Sequence, residues 1–173
     1  MIRRFAPLLV ACALTPVSLS AQAETAPTVD ELVSFFSQSA VLGKSKGLCM
    51  GTAQECADQE KPKGRDMLVT FDLNSAQLTD EAKDRLGVYV QALNDDRLQS
   101  IKFAVEGHTD GHGTDAFNDE LSRARAATVR AHFIAQGVSE DRLIAVGLGE
   151  REPRTADVYD PENRRVEVRV SFN

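Results

Sequence analysis

Apolar and polar residues follow two different periods over the C-terminal two thirds of the chain. Apolar side chains alternate with other residues at 101–106 and again at 166–172, which is the spacing of a strand. At 80–93 and 115–136 they recur every three or four positions, which predicts two helices. With two further short apolar runs, the predicted strands are 67–73, 101–106, 143–148 and 166–172.

The element order over residues 67–173 is therefore β-α-β-α-β-β. Alternation in the second and fourth strands predicts that one face of the sheet is polar and solvated, so both helices should pack on the other face. This arrangement is an α+β fold, a two-layer sandwich built on a four-stranded sheet.

The first 23 residues have the pattern of a secretory signal. Arg3 and Arg4 precede an apolar stretch, and Ala21-Gln22-Ala23 has the small-x-small form of a signal-peptidase site. We expect residues 1–23 to be removed and the mature, exported protein to begin at Glu24.

Two alternatives for this segment stay open. A membrane anchor is one, although the apolar run is short and contains Pro7 and Pro16. Lipidation at Cys12 is the other, because Leu9-Val10-Ala11 precedes it as in a lipobox.

Residues 24–66 are predicted to form an N-terminal helix and a connection pinned by a disulfide. Thr28 and Glu31 fit a capping box and predict a short helix of two or three turns. Cys49 and Cys56 would remain in an oxidising compartment, where a disulfide is the default. A redox or metal role for the pair is the alternative.

The charged residues narrow the possible partners. The formal net charge of −6 argues against nucleic acid, whose phosphates require a basic surface. On a helical wheel of the second long helix, Arg125 and Asn118 fall inside the apolar arc, whereas Arg123 and Arg130 can face solvent. A buried guanidinium keeps its charge and requires a partner.

Asp110 is a candidate partner because it ends the second strand, close to the start of this helix. A structural salt bridge is one interpretation of Asp110 and Arg125. The other is a site for a zwitterion, in which Asp110 holds an ammonium group and Arg125 holds a carboxylate through two hydrogen bonds.

Two further interpretations use neighbouring residues. His108, Asp110 and His112 could bind Zn²⁺ and activate water if all three pointed the same way from a strand. The run Asn163-Arg164-Arg165 could be ordinary surface charge, or could pair with nearby acids or with a ligand carboxylate.

Five motifs occur in a fixed order over about 100 residues. They are Phe71-Asp72-Leu73-Asn74, Glu106-Gly107-His108-Thr109-Asp110-Gly111, Asn118-x-x-Leu121-Ser122-x-x-Arg125-Ala126, Gly147-x-Gly149-Glu150 and Asn163-Arg164-Arg165-Val166-Glu167. Together they resemble the OmpA-like C-terminal domain, a peptidoglycan-binding module also found in peptidoglycan-associated lipoproteins and flagellar stator proteins.

The resemblance implies a mixed four-stranded sheet and a non-enzymatic domain without cofactor or metal. It implies non-covalent binding of the diaminopimelate in the peptide stem of peptidoglycan. By resemblance, Asp110 and Arg125 clamp the ligand and Asn74 is a polar contact. The positions implied to line or support the pocket are Thr109, Asn118, Leu121 and Ser122.

The resemblance also implies a periplasmic protein associated with the cell wall and the outer membrane. Only 43 residues separate Glu24 from Met67, too few for a transmembrane barrel of eight strands, so we expect a member without a barrel. The alternative function is that of an adaptor, in which the N-terminal helix and the disulfide loop dock another envelope protein and wall binding is secondary.

Overall fold

The computed structural model describes residues 26–44, 63–67, 69, 71 and 75–172. The predicted signal at 1–23 lies outside these ranges, as do Cys12, Cys49, Cys56 and Asn74. The processing site, the disulfide and the role of Asn74 therefore stay predictions.

Within the described ranges, three α-helices pack on one face of a mixed four-stranded sheet. The helices are α1 (Val29–Lys44), α2 (Asp80–Leu93) and α3 (Asp115–Ala135), and the strands are β1 (Arg65–Asp66), β2 (Lys102–His108), β3 (Leu143–Gly149) and β4 (Val166–Ser171). The strand order is β1-β4-β2-β3, with β4 antiparallel to both neighbours and β2 parallel to β3. The predicted fold class is confirmed. None of the described helices combines the length and the apolar run needed to cross a lipid bilayer.

Side-chain caps define where the helices begin. The hydroxyl of Thr79 accepts a hydrogen bond from the N–H of Ala82 at the start of α2. Thr28 and Glu31 form the predicted capping box at α1, in which each side chain accepts from the other's backbone N–H. However, α1 has 16 residues and is longer than the two or three turns predicted. In its second half Val41 and Leu42 are both exposed, so no apolar period marks the end of the helix.

Helix α1 contributes directly to the hydrophobic core. Leu32, Val33 and Phe36 are completely or almost completely buried, and the ring of Phe36 meets that of Phe103 edge to face at 5.2 Å. The sheet also includes β1, which precedes Met67. The core and the sheet therefore include residues that precede Met67.

The described pairing of the first strand lies at Arg65–Asp66, just before the predicted span, of which only residues 67, 69 and 71 are described. Its ladder with β4 pairs Arg65 and Asp66, and Met67 then donates its N–H to the carbonyl of Val166. Further along, Phe71 forms an isolated bridge with Leu78. Apolar content predicted a strand at 67–73, but backbone pairing at this edge begins in a polar segment that carries no strand period.

The prediction of a solvated outer sheet face is wrong. On the side away from the helices, Glu106, His108 and Glu167 are all buried. Arg169 donates to Glu106 at 2.8 Å and Arg165 donates to Glu167 at 2.6 Å. The polar side chains of this face are paired with one another, and alternation alone does not distinguish paired charges from hydrated ones.

Two glycines let α3 lie close to the sheet. A Cβ atom on Gly107 of β2 would collide with the carbonyl oxygen of Ser122, and one on Gly147 of β3 would lie 2.6 Å from the backbone nitrogen of Arg123. The helix backbone therefore rests directly on both strands. This contact sets the distance between the first turns of α3 and the ends of β2 and β3.

Candidate functional site

A cluster of charged side chains lies where β2 ends, α3 begins and the chain enters β4. Asp110 is the second residue after the end of β2 and is 6% exposed. Its Oδ2 accepts a 2.6 Å hydrogen bond from Arg164, and its Oδ1 accepts from the backbone N–H of His112. Burial acts to raise the pKa of Asp110, but these hydrogen bonds outweigh it and lower the pKa below its ordinary value. Asp110 is therefore an anion at neutral pH.

Arg125 lies in the third turn of α3 and is also 6% exposed, as the helical wheel predicts. Its Nε–H donates to the carbonyl of Ser75 at 3.1 Å, and its guanidinium lies 5.0 Å from the ring centroid of Phe71. Burial lowers the pKa of Arg125 and the charge of Arg164 lowers it further, while Asp110 opposes both. Arg125 remains a cation, since an arginine pKa starts far above neutrality.

The pairing of these charges differs from the simplest prediction, in which Asp110 and Arg125 form a salt bridge with each other in the empty site. Asp110 pairs with Arg164 instead. Arg125 points to a carbonyl and a ring, and within the part of the chain that the structure describes no carboxylate is salt-bridged to it. Among the described residues, the Asp110 carboxylate therefore lies with two guanidinium groups, one that pairs with it and one that does not.

Two of the predicted supporting residues connect α3 to the strand ends. The buried amide of Asn118 donates to the carbonyl of Asp110 at 3.2 Å and to the carboxylate of Glu150 at 2.7 Å. The hydroxyl of Ser122 accepts from the N–H of Gly149 at 3.0 Å. These bonds hold the loops after β2 and β3 against the helix, so both side chains position the site.

Thr109 and Leu121 occupy different environments. Thr109 is 3% exposed, and its N–H donates to the carbonyl of Gly149. Its buried hydroxyl has no hydrogen-bond partner among the described residues. Leu121 is half-buried on α3, four residues before Arg125.

Arg164 was predicted to be surface charge or to pair with Glu150, Glu152 or a ligand carboxylate, and its pairing with Asp110 was not predicted. Arg164 and Arg165 precede β4, and successive side chains of an extended chain point to opposite sides. Arg164 reaches Asp110 and Arg165 reaches Glu167 on the outer face of the sheet. The sequence did contain a signal for this arrangement. Two adjacent arginines before a predicted strand indicate one cation on each side of the sheet.

The alternative interpretation, a zinc site at His108, Asp110 and His112, is not assembled. His112 Nδ1 lies 3.3 Å from Asp110, but His108 is buried on the outer face of the sheet, toward Glu106 and Glu167. The three predicted ligands do not converge, because Asp110 and His112 lie beyond the end of the strand.

A different group does converge on that outer face. One donor atom from each of Glu106, His108 and Glu167 lies within 4.8 Å of the others. Both carboxylates are already paired, Glu106 with Arg169 and Glu167 with Arg165. This group is a buried ion-pair network with a neutral histidine beside it.

Comparison with known proteins decides the family. A model described as the OmpA family matches residues 70–167, more than half of the chain. The chain belongs to the OmpA family. Asp110, Arg125 and Arg164 all lie within the matched residues, whereas α1 lies before them.

Members of the OmpA family are similar to this chain over its C-terminal part. It is 35% identical over 115 residues to outer membrane protein P5 of Haemophilus influenzae, covering 60% of this chain and 32% of that protein. It is 35% identical over 104 residues to outer membrane protein A of Bordetella avium, covering 58% of this chain and 52% of that protein. The chain thus spans about a third to a half of the length of these relatives.

Solved structures extend the comparison. The peptidoglycan-associated lipoprotein of Burkholderia pseudomallei is 28% identical with a TM-score of 0.52, covering 60% of this chain and 88% of that chain. A putative MotB-like protein of Desulfovibrio vulgaris is 20% identical with a TM-score of 0.53. The match covers 84% of this chain and 93% of that chain. The second likeness shows the fold alone.

Proposed function

We propose that this OmpA-family domain binds cell-wall peptidoglycan non-covalently, through the diaminopimelate of the peptide stem. The observation that carries the proposal is a buried anion, Asp110, near a buried cation, Arg125, with Arg164 bound to the anion. The free end of diaminopimelate presents an ammonium and a carboxylate on one carbon atom, which matches a neighbouring anion and cation. The peptidoglycan-associated lipoprotein among the similar structures supports the same ligand class.

The orientation of Arg125 supports its role as the carboxylate-binding residue. Its Nε–H is committed to Ser75, which fixes the plane of the guanidinium. Within the described ranges its two Nη groups make no hydrogen bond, so they are available for a ligand carboxylate. Asp110 would take the ammonium group, and Asn74 would add a polar contact from the segment between Phe71 and Ser75.

We propose binding without catalysis. The hydroxyl of Ser122 is occupied by backbone groups, and the carboxylate of Asp110 is held by Arg164. Neither is arranged as a nucleophile with its base.

The proposal includes a periplasmic location at the wall and the outer membrane, and it relies on the predicted signal at residues 1–23. The adaptor alternative is left with less of α1 for a partner, because Leu32, Val33 and Phe36 are buried in the core. Incubating the protein with purified sacculi, with and without free diaminopimelate as competitor, tests the wall-binding part. We expect the protein to sediment with the sacculi and the competitor to release it.

Removal of the Arg125 guanidinium tests the clamp directly. Arg125→Ala should weaken diaminopimelate binding at least thirtyfold, since loss of one partner leaves a buried charge unpaired. Arg125→Lys should also bind poorly, because an ammonium group lacks the planar fork. Isothermal titration of folded variants with diaminopimelate measures both effects.

The matched control is Arg123→Ala, which removes an exposed arginine from the same helix. It should bind like the unaltered protein. Arg130, which the helical wheel also assigned to solvent, is not suitable because its Nε–H donates to the carbonyl of Leu143 at 2.9 Å. Equal losses in Arg123→Ala and Arg125→Ala would contradict the clamp.

A further inference from the structure

The loop between β3 and β4 holds exposed apolar side chains in a fixed position. Val158 and Tyr159 are 42% and 56% exposed. The buried amide of Asn163 orders the loop, since its oxygen accepts from the N–H of Arg154 at 2.7 Å and its nitrogen donates to the carbonyl of Asp157 at 2.9 Å. The loop is therefore organised although its apolar side chains stay outside the core.

This loop is joined to the charged site. The N–H of Gly111 donates to the carbonyl of Val158 at 2.8 Å. The ring of Tyr159 meets the ring of His112 edge to face at 5.0 Å, and His112 Nδ1 lies 3.3 Å from Asp110. A continuous line of contacts leads from the carboxylate to the exposed tyrosine, so a ligand that extends beyond Asp110 on this side meets the ring.

We propose that Tyr159 and Val158 form a second subsite that packs against the part of the stem peptide adjoining the diaminopimelate. The proposal rests on the proposed function, because Asp110 and Arg125 hold the zwitterion from which the peptide extends. A single imidazole ring, with contacts of 3.3 Å and 5.0 Å, joins the Asp110 carboxylate to the tyrosine ring, so the two are separated by no more than about three extended residues. The part of peptidoglycan that reaches this ring is therefore peptide, while the sugars lie further along the stem.

The chemistry of the subsite suits a peptide. An exposed aromatic face packs well against amide planes and methyl groups, and it adds contact area at a low cost in side-chain entropy. The clamp selects the zwitterion by charge. The subsite adds affinity that depends on the residues around the zwitterion, so it distinguishes peptide-linked diaminopimelate from the free amino acid.

The test compares two probes, free meso-diaminopimelate and a stem tripeptide that ends in meso-diaminopimelate. The unaltered protein should bind the tripeptide more tightly than the free amino acid. Tyr159→Ala should weaken tripeptide binding roughly fivefold to tenfold and leave binding of the free amino acid within twofold. Tyr159→Phe keeps the ring and should retain the tripeptide affinity.

Phe172→Ala is the matched control, since it removes another exposed aromatic ring, at the far end of β4. It should bind both probes normally. The subsite is overturned if Tyr159→Ala leaves tripeptide binding unchanged or weakens both probes equally. If the unaltered protein binds neither probe, the proposed function fails and the subsite fails with it.

Discussion

The outer face of the sheet contains a histidine in an unusual environment. His108 is completely buried, and neither ring nitrogen has a hydrogen-bond partner among the described residues. Burial and the charge of Arg165 lower its pKa to about 4, against the opposing charges of Glu167 and Glu152. The folded protein therefore holds this imidazole neutral at any pH well above 4.

Protonation of His108 should couple stability to pH. As the pH falls from 6.5 to 4, the unfolded chain takes up a proton at this residue and the folded protein does not. The free energy of unfolding should therefore decrease over this window, by up to about 1.4 kcal/mol per pH unit and roughly 3 kcal/mol in total. Urea unfolding at several pH values measures the slope.

His108→Gln replaces the titrating ring with a neutral amide and should flatten that slope, whatever it does to stability at pH 7. The lowered pKa values of Asp110 and Glu167 also make acid destabilising, but their effect falls at lower pH. An unchanged slope between pH 4.5 and 6.5 in the variant would show that His108 is not the residue responsible.

At the scale of secondary-structure elements, one arginine joins four segments of the chain. Arg142 is buried at the start of β3 and donates hydrogen bonds to three carbonyls, those of Leu93, Leu98 and Ile101, at 2.8 to 3.0 Å. Its guanidinium also lies 5.6 Å from the ring centroid of Phe103. The end of α2, the turn after it and the start of β2 are thereby tied to β3.

Arg142→Ala should reduce the free energy of unfolding by about 3 kcal/mol, because it removes charged donors from three carbonyls. Arg142→Lys should recover only part of this, since one ammonium group does not span all three acceptors. Arg85→Ala, which removes an exposed arginine paired with Glu81, is the control and should change stability little. If Arg142→Ala lowered the free energy of unfolding no more than Arg85→Ala, the three hydrogen bonds would make no net contribution to stability.

At the scale of the whole molecule, α1 should unfold together with the sheet. Phe36 is fully buried against Phe103, so Phe36→Ala should cost about 3–5 kcal/mol. Leu42→Ala, on the same helix but 65% exposed, should have little effect. Denaturant unfolding followed by circular dichroism should give one transition for each protein. A separate transition of α1 at lower denaturant concentration would show that the helix unfolds independently of the sheet.

The sequence predicts the parts of this molecule that depend on local pattern. The element order and the burial of Arg125 follow from helical and strand periods, and the cap of α1 follows from Thr28 and Glu31. The contact of Arg164 with Asp110 joins residues 54 positions apart, and no local period encodes which strand edges meet. The outer sheet face was misassigned for a related reason, since Glu106 and Glu167 look solvated until their arginine partners are known.

The close contact of α3 with the sheet at Gly107 and Gly147 fixes the distance between the two charged residues of the site. Arg125 is carried by the helix and Asp110 by the end of β2, and the two supports touch backbone to backbone with no side chain between them to compress or slide. The spacing of the two charges is therefore set before any ligand arrives, and little ordering is needed on binding. A side chain at either glycine would push α3 away from the sheet and move Arg125 away from Asp110. It should therefore weaken the proposed binding of a zwitterion without contacting the ligand.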